Sequence, residues 1–147
     1  MRISAATGLI ASLLTAGTAQ GATHQGGLHL GKIQYNSPGT DTRSNTSLNG
    51  EWVELHNNGR TAVQLRGFKL KDDAGHTYTF GSFKLAARKT VRVHTGRGKD
   101  GSGHRYWNRR SYVWNNTSDR ARLLKPSGTR LDSCAWTTRD HGSKMCH

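Results

Sequence analysis

The sequence predicts an all-β sandwich, and three observations carry that prediction. Short runs of alternating apolar and polar residues recur along the chain, clusters of Gly, Asn, Asp and Pro separate them, and the 3.6-residue period of an amphipathic helix is hard to find. Seven or eight short strands at such spacing suit a sandwich. A chain of 147 residues is long enough to bury one core of that kind.

The elements follow in order. Arg2 precedes an apolar run over residues 3–14, and small residues follow as Gly17-Thr18-Ala19 and Ala19-Gln20-Gly21. This is the layout of a secretory signal peptide over 1–21, with cleavage expected after Ala19 or Gly21. The run is shorter than the roughly 20 residues that span a bilayer. A secreted, extracellular protein is expected, either free or associated with the cell surface. Residues 22–27 read as a flexible arm, and 28–147 as the sandwich domain.

The expected strands are 28–35, 51–57, 67–71, 77–80, 90–94, 112–114, 120–124 and 129–136. Between the first two, residues 37–50 are polar and patternless and read as a long surface loop. In the second strand, alternation sets Val53 and Leu55 on one face, the core face, and Trp52, Glu54 and His56 on the other. Asp72-Asp73-Ala74-Gly75 and Lys125-Pro126-Ser127-Gly128 are hairpin signals, because Asp and Gly tolerate the positive φ angles of tight turns. Cys134 and Cys146 are the only cysteines, and export predicts that they pair. The short loop so closed contributes about 3 kcal/mol on the chain-entropy model.

Several motifs occur together and in order: Ile33-x-Tyr35-Asn36, Asn49-x-Glu51-Trp52-Val53-Glu54-Leu55-x-Asn57, Leu65-x-Gly67-Phe68-x-Leu70-x-Asp72 and Gly75-His76-x-Tyr78-x-Phe80. They continue through Val91-x-Val93-His94-Thr95-Gly96-x-Gly98, Tyr106-Trp107, Val113-Trp114-Asn115-Asn116 and Gly128-x-x-Leu131-Asp132-x-Cys134-x-Trp136. This ordered set resembles the lamin tail domain family, in the form of a small secreted member of bacterial type. The resemblance implies an immunoglobulin-like β-sandwich. It brings no catalytic residues, and the shared positions it implies are strand cores, turn glycines and packing aromatics.

Charge adds a clue of its own. The chain carries 22 Lys and Arg against 9 Asp and Glu. Residues 84–130 alone hold thirteen basic side chains and two acidic ones, a net of +11. Within that stretch Arg92, Arg97, Lys99, Arg105, Arg109 and Arg110 alternate with Tyr106, Trp107 and several glycines. Guanidinium groups pair bidentately with phosphate or sulfate, released counterions drive affinity, and exposed rings stack on unpaired bases. The expectation is a polyanion partner, either nucleic acid or an acidic surface polymer, bound by Arg92, Arg97, Lys99, Arg105, Tyr106, Trp107, Arg109 and Arg110. Packing of the tryptophans inside the sandwich is the structural reading of the same residues, and it leaves a structural or protein-interaction module with incidental charge as the alternative function.

Catalytic patterns are absent from the sequence. Eight histidines are scattered over different elements without His-x-x-x-His, His-Glu-x-x-His or paired Cys/His ligand spacing. Glu54 and His56 share a strand face, which the polar outer side of an antiparallel strand explains equally well. No enzyme, no metal and no cofactor is therefore expected, and a secreted metal-dependent nuclease is the least supported reading.

Overall fold

A computed structural model describes residues 26–147. The expected leader and its cleavage sites lie outside the described residues, as does most of the expected arm. Eleven strands are present among the described residues: β1 (Leu28–Gln34), β2 (Trp52–Asn57), β3 (Val63–Gln64), β4 (Lys69–Lys71), β5 (Thr77–Thr79), β6 (Lys84–Leu85), β7 (Thr90–His94), β8 (His104–Tyr106), β9 (Ser118–Leu124), β10 (Arg130–Thr137) and β11 (Ser143–Met145). A single short helix, α1 (Asn45–Asn49), and a 3-10 turn (Thr138–Asp140) complete them.

One sheet runs β11-β1-β2-β7-β8 and the other β10-β9-β4-β5, with β3 and β6 forming a small separate pair. All pairings are antiparallel except β7 with β8, which is parallel. Leu30, Ile33, Val53, Leu55, Val91 and Val93 from the first sheet pack against Leu70, Ala121, Leu123, Cys134 and Trp136 from the second, all buried in one cluster. Burial along β2 alternates as the sequence predicts, with Val53 and Leu55 inside and Trp52, Glu54 and His56 half-exposed.

Both expected hairpins form. Asp72 N–H donates to His76 O across the first, and Asp72 Oδ1 accepts from His76 N at 2.7 Å. In the second, Lys125 N–H donates to Thr129 O at 2.9 Å, and Gly128 adopts φ 89°. The Cys134–Cys146 disulfide also forms. It links β10 of the second sheet to the chain just beyond β11, at the outer edge of the first.

Three expectations need correction. Residues 112–114 are not a strand, because Val113 N–H and Trp114 N–H both donate to the Glu51 side chain and so build no ladder. The 37–50 loop contains α1, where the Ser44 side chain caps the first turn by accepting from Ser47 N and Leu48 is buried as its apolar anchor. The strand count exceeds eight because β3, β6, β8 and β11 are two or three residues long, too short to show alternation.

Candidate anion-binding site

The arginines of residues 92–110 fall into two settings, and the buried Glu51 organises one of them. Glu51 lies just before β2 and is 1% exposed. Its Oε1 accepts from Thr95 Oγ1 at 2.6 Å, Val113 N at 2.8 Å and Trp114 N at 3.2 Å. Burial pushes the carboxyl up to about 7 although those three bonds pull it down, so desolvation outweighs the donors. Glu51 thereby ties the turn leaving β7 to the segment that follows β8.

Onto this brace the chain fastens its next turns. Arg97 N–H donates to Asn45 Oδ1 at 2.7 Å, and the Asn45 and Asn49 amides donate back to Arg97 O at 2.8 and 2.9 Å. Gly96 has no space for a side chain: a Cβ there would stand 2.5 Å from Asn49 Oδ1 and 2.6 Å from Asn45 Oδ1. Asn108 N–H and Arg109 N–H then donate to Gly96 O and Thr95 O, which lays the segment after β8 along the same turn. On the far side Arg43, in the left-handed region at φ 58°, donates its N–H to Tyr112 Oη, and that hydroxyl also meets Ser47 Oγ at 2.6 Å.

The outcome is a concavity of about 410 Å³ lined by Arg43, Asn45, Leu48, Arg97, Arg109 and Arg110. Its lining contains no carboxylate, and among the described residues none of these four guanidinium groups is in an ion pair. Arg109 holds its Nε buried with no protein acceptor, its guanidinium 5.9 Å from the Trp107 ring centre.

Other cations expected at the site lie elsewhere. Arg92 places Nε 3.2 Å from Glu54 Oε2 and its guanidinium 3.9 Å over Trp52. Arg105 reaches Asp100 at 3.7 Å and stacks 4.1 Å over Phe83. Lys99 is exposed on the β7–β8 loop, outside the lining. Tyr106 stacks on His94 at 5.1 Å and covers Gly98, where a Cβ would come within 2.5 Å of its ring. Trp107 packs between Tyr78 and Trp114, and Trp114 in turn meets Trp136, which stacks on Tyr35 at 4.8 Å. The fold thus brings Arg97, Arg109 and Arg110 together and adds Arg43, which the sequence reading did not single out. The cap at Ser44 before Leu48 was the one available signal that residues 37–50 fold back against the basic stretch.

Beneath the same turn, His94 donates from Nδ1 to Asn49 O at 2.8 Å, so its Nε2, 2.8 Å from His104 Nδ1, accepts when both rings are neutral. Burial, and the neighbouring His104 and Arg92 charges, lower its pKa. Burial likewise pushes the Tyr78 hydroxyl up to about 12. Among the described residues no three His, Cys, Asp or Glu side chains converge as a metal site. The lining of the concavity itself gathers positive charge and contains neither a carboxylate nor an imidazole.

The chain matches the Lamin Tail Domain family over residues 22–138. It belongs to that family. The lamin tail domain is an immunoglobulin-like, non-catalytic family, in agreement with the two-sheet architecture and with the structural role of the shared aromatics. No curated protein matches the chain. The family match ends at residue 138, so β11 and Cys146 lie beyond it.

Proposed function

We propose that this lamin tail domain is a non-catalytic, exported binding module that takes up polyanions through Arg43, Arg97, Arg109 and Arg110. The observation that carries the reading is the gathering of four arginines from three chain segments around one concavity with no carboxylate in its lining. Like charges held together and left uncompensated repel one another, and an incoming polyanion relieves that repulsion while releasing its counterions. Arginine suits the task because its planar fork meets phosphate or sulfate oxygens in pairs. The apolar leader motif at residues 1–21 supports export, which would place the partner outside the cell.

The test is a titration of the protein with heparin, duplex DNA and single-stranded DNA from low to physiological salt. Affinity is expected to fall linearly with salt on logarithmic axes. Arg109→Ala with Arg110→Ala should lower affinity at least tenfold and reduce the slope by about 2, one for each contact removed. An unchanged affinity and slope in that variant would overturn the assignment.

A further inference from the structure

We infer that the arginine concavity is an end-group site, built for a multiply charged phosphate such as a phosphomonoester or pyrophosphate rather than for the singly charged phosphodiesters of a nucleic-acid backbone. The inference deepens the polyanion reading and rests on it for the source of the ligand. Charge density is the first argument. Four arginines line about 410 Å³, toward the small end of the ~300–1,000 Å³ of small-molecule sites. A phosphodiester brings one charge and two free oxygens, whereas a phosphomonoester concentrates about −1.5 to −2 and three acceptor oxygens on one phosphorus. A single phosphomonoester therefore offers several arginine forks more charge and more acceptors than a single phosphodiester does.

The bracing of the site is the second argument. Arg97 is held by Asn45 and Asn49, Arg109 by Thr95 O, and Arg43 by Tyr112 Oη, so the backbones that carry these cations are fixed before a ligand arrives. Preorganisation of this kind favours a compact ligand of defined shape, because less ordering cost falls on binding. Arg109 lines the concavity, and its buried Nε–H meets no protein acceptor, so the protein leaves this guanidinium without a hydrogen-bonded counter-group at its stem.

What surrounds the site is the third. Tyr106 and Trp107, the rings best placed in sequence to stack on a base, are turned onto His94 and Gly98 and between Tyr78 and Trp114. Neither ring is thus left free on both faces to stack on a nucleobase, which leaves the phosphate as the group the concavity addresses.

Two measurements test this. Calorimetric titration with inorganic pyrophosphate should give saturable one-to-one binding, weakened at least fivefold by Arg97→Ala and by Arg110→Ala, and unaffected by Arg92→Ala. A short DNA strand with a 5′-phosphate should bind at least fivefold more tightly than the same strand with a 5′-hydroxyl, and pyrophosphate should compete for the difference. A phosphomonoester-bearing glycan run beside the DNA distinguishes a nucleic-acid end from a phosphorylated surface polymer as the source. Arg97→Lys keeps the charge and removes the fork, so a loss there identifies bidentate contact even if Arg97→Ala unfolds.

Equal binding of the two DNA strands, together with no saturable pyrophosphate binding, would overturn the end-group inference and leave the polyanion reading intact. Pyrophosphate binding without affinity for any polymer would overturn the polyanion reading and keep the end-group site. Pyrophosphate binding that survives both Arg97→Ala and Arg110→Ala would also overturn the inference, since the ligand would then sit elsewhere.

Discussion

Arg92 and Arg97 lie five residues apart in one basic stretch, yet they belong to different chemistries. Arg92 points from β7 across the ladder to Glu54, its partner in register on β2, and lies flat on Trp52. Arg105, on β8, is treated alike by Asp100 and Phe83. Arg97, Arg109, Arg110 and Arg43 have no such acid, and they face one another around a concavity. Among the arginines of residues 92–110, Glu54 and Asp100 decide which are paired, and the turns at 95–97 and 108–110 decide which are gathered. Glu54 and Asp100 neutralise one group in place. Glu51, buried, braces the backbone that carries the other.

Removing that brace is the strongest way to break the comparison. Glu51→Ala strands the Thr95 hydroxyl and two backbone N–H groups inside the fold, and should cost roughly 4 kcal/mol in a urea denaturation series, with loss of anion binding as the turn at 95–97 loosens. Glu51 also gives stability a pH dependence of unusual sign for a carboxyl. Its folded value of about 7 lies above the ordinary 4.5, so the folded protein holds the proton more tightly than the unfolded chain. That contribution is full below pH 4.5 and is lost as the pH rises toward and through 7, to a total on the order of 3 kcal/mol. Denaturation midpoints measured between pH 4 and 8 should show the decline, and Glu51→Gln should flatten it.

The other end of the five-stranded sheet offers a contrast in location. Cys134→Ser with Cys146→Ser opens a loop of 12-residue separation and should cost about 3 kcal/mol by thermal or urea unfolding, because the unfolded chain regains the freedom the cross-link removed. Strand β11 pairs only with β1, far along the sheet order from β8. Anion affinity of the still-folded variant should therefore stay within about twofold of the parent, which separates the two ends of the sheet by function.

Much of the sandwich was legible because its long strands announce themselves. β2, β7 and β10 alternate clearly, and the Asp72–Gly75 and Lys125–Gly128 turns carry the residues that positive φ angles demand. β8 was not legible, since His104-Arg105-Tyr106 sits among glycines and pairs in parallel through a loop, with no apolar face of its own. The site was legible by half. Charge counting found Arg97, Arg109 and Arg110, but it also drew in Arg92 and Arg105, whose acidic partners come from β2 and from the glycine loop. Arg43 escaped because its place depends on Tyr112, 69 residues away. Tyr106 and Trp107 looked available for stacking because the sequence does not record that Gly98, Tyr78 and Trp114 fill in around them.

The finest test of the comparison lies in the stability of single arginine variants. Arg92→Ala loses a half-exposed ion pair and a ring contact and should lower stability by about 1 kcal/mol. Arg110→Ala removes an exposed side chain with no acidic partner, so its effect should stay within about 0.5 kcal/mol. The sign should favour the variant, because one of four mutually repelling charges is gone, and the gain should shrink as salt screens the remainder. The same substitution should weaken anion binding, whereas Arg92→Ala should leave it unchanged. A residue whose removal steadies the fold and weakens the ligand is held where it is by binding, and finding that opposition at Arg110 but not at Arg92 would separate the gathered arginines from the paired ones.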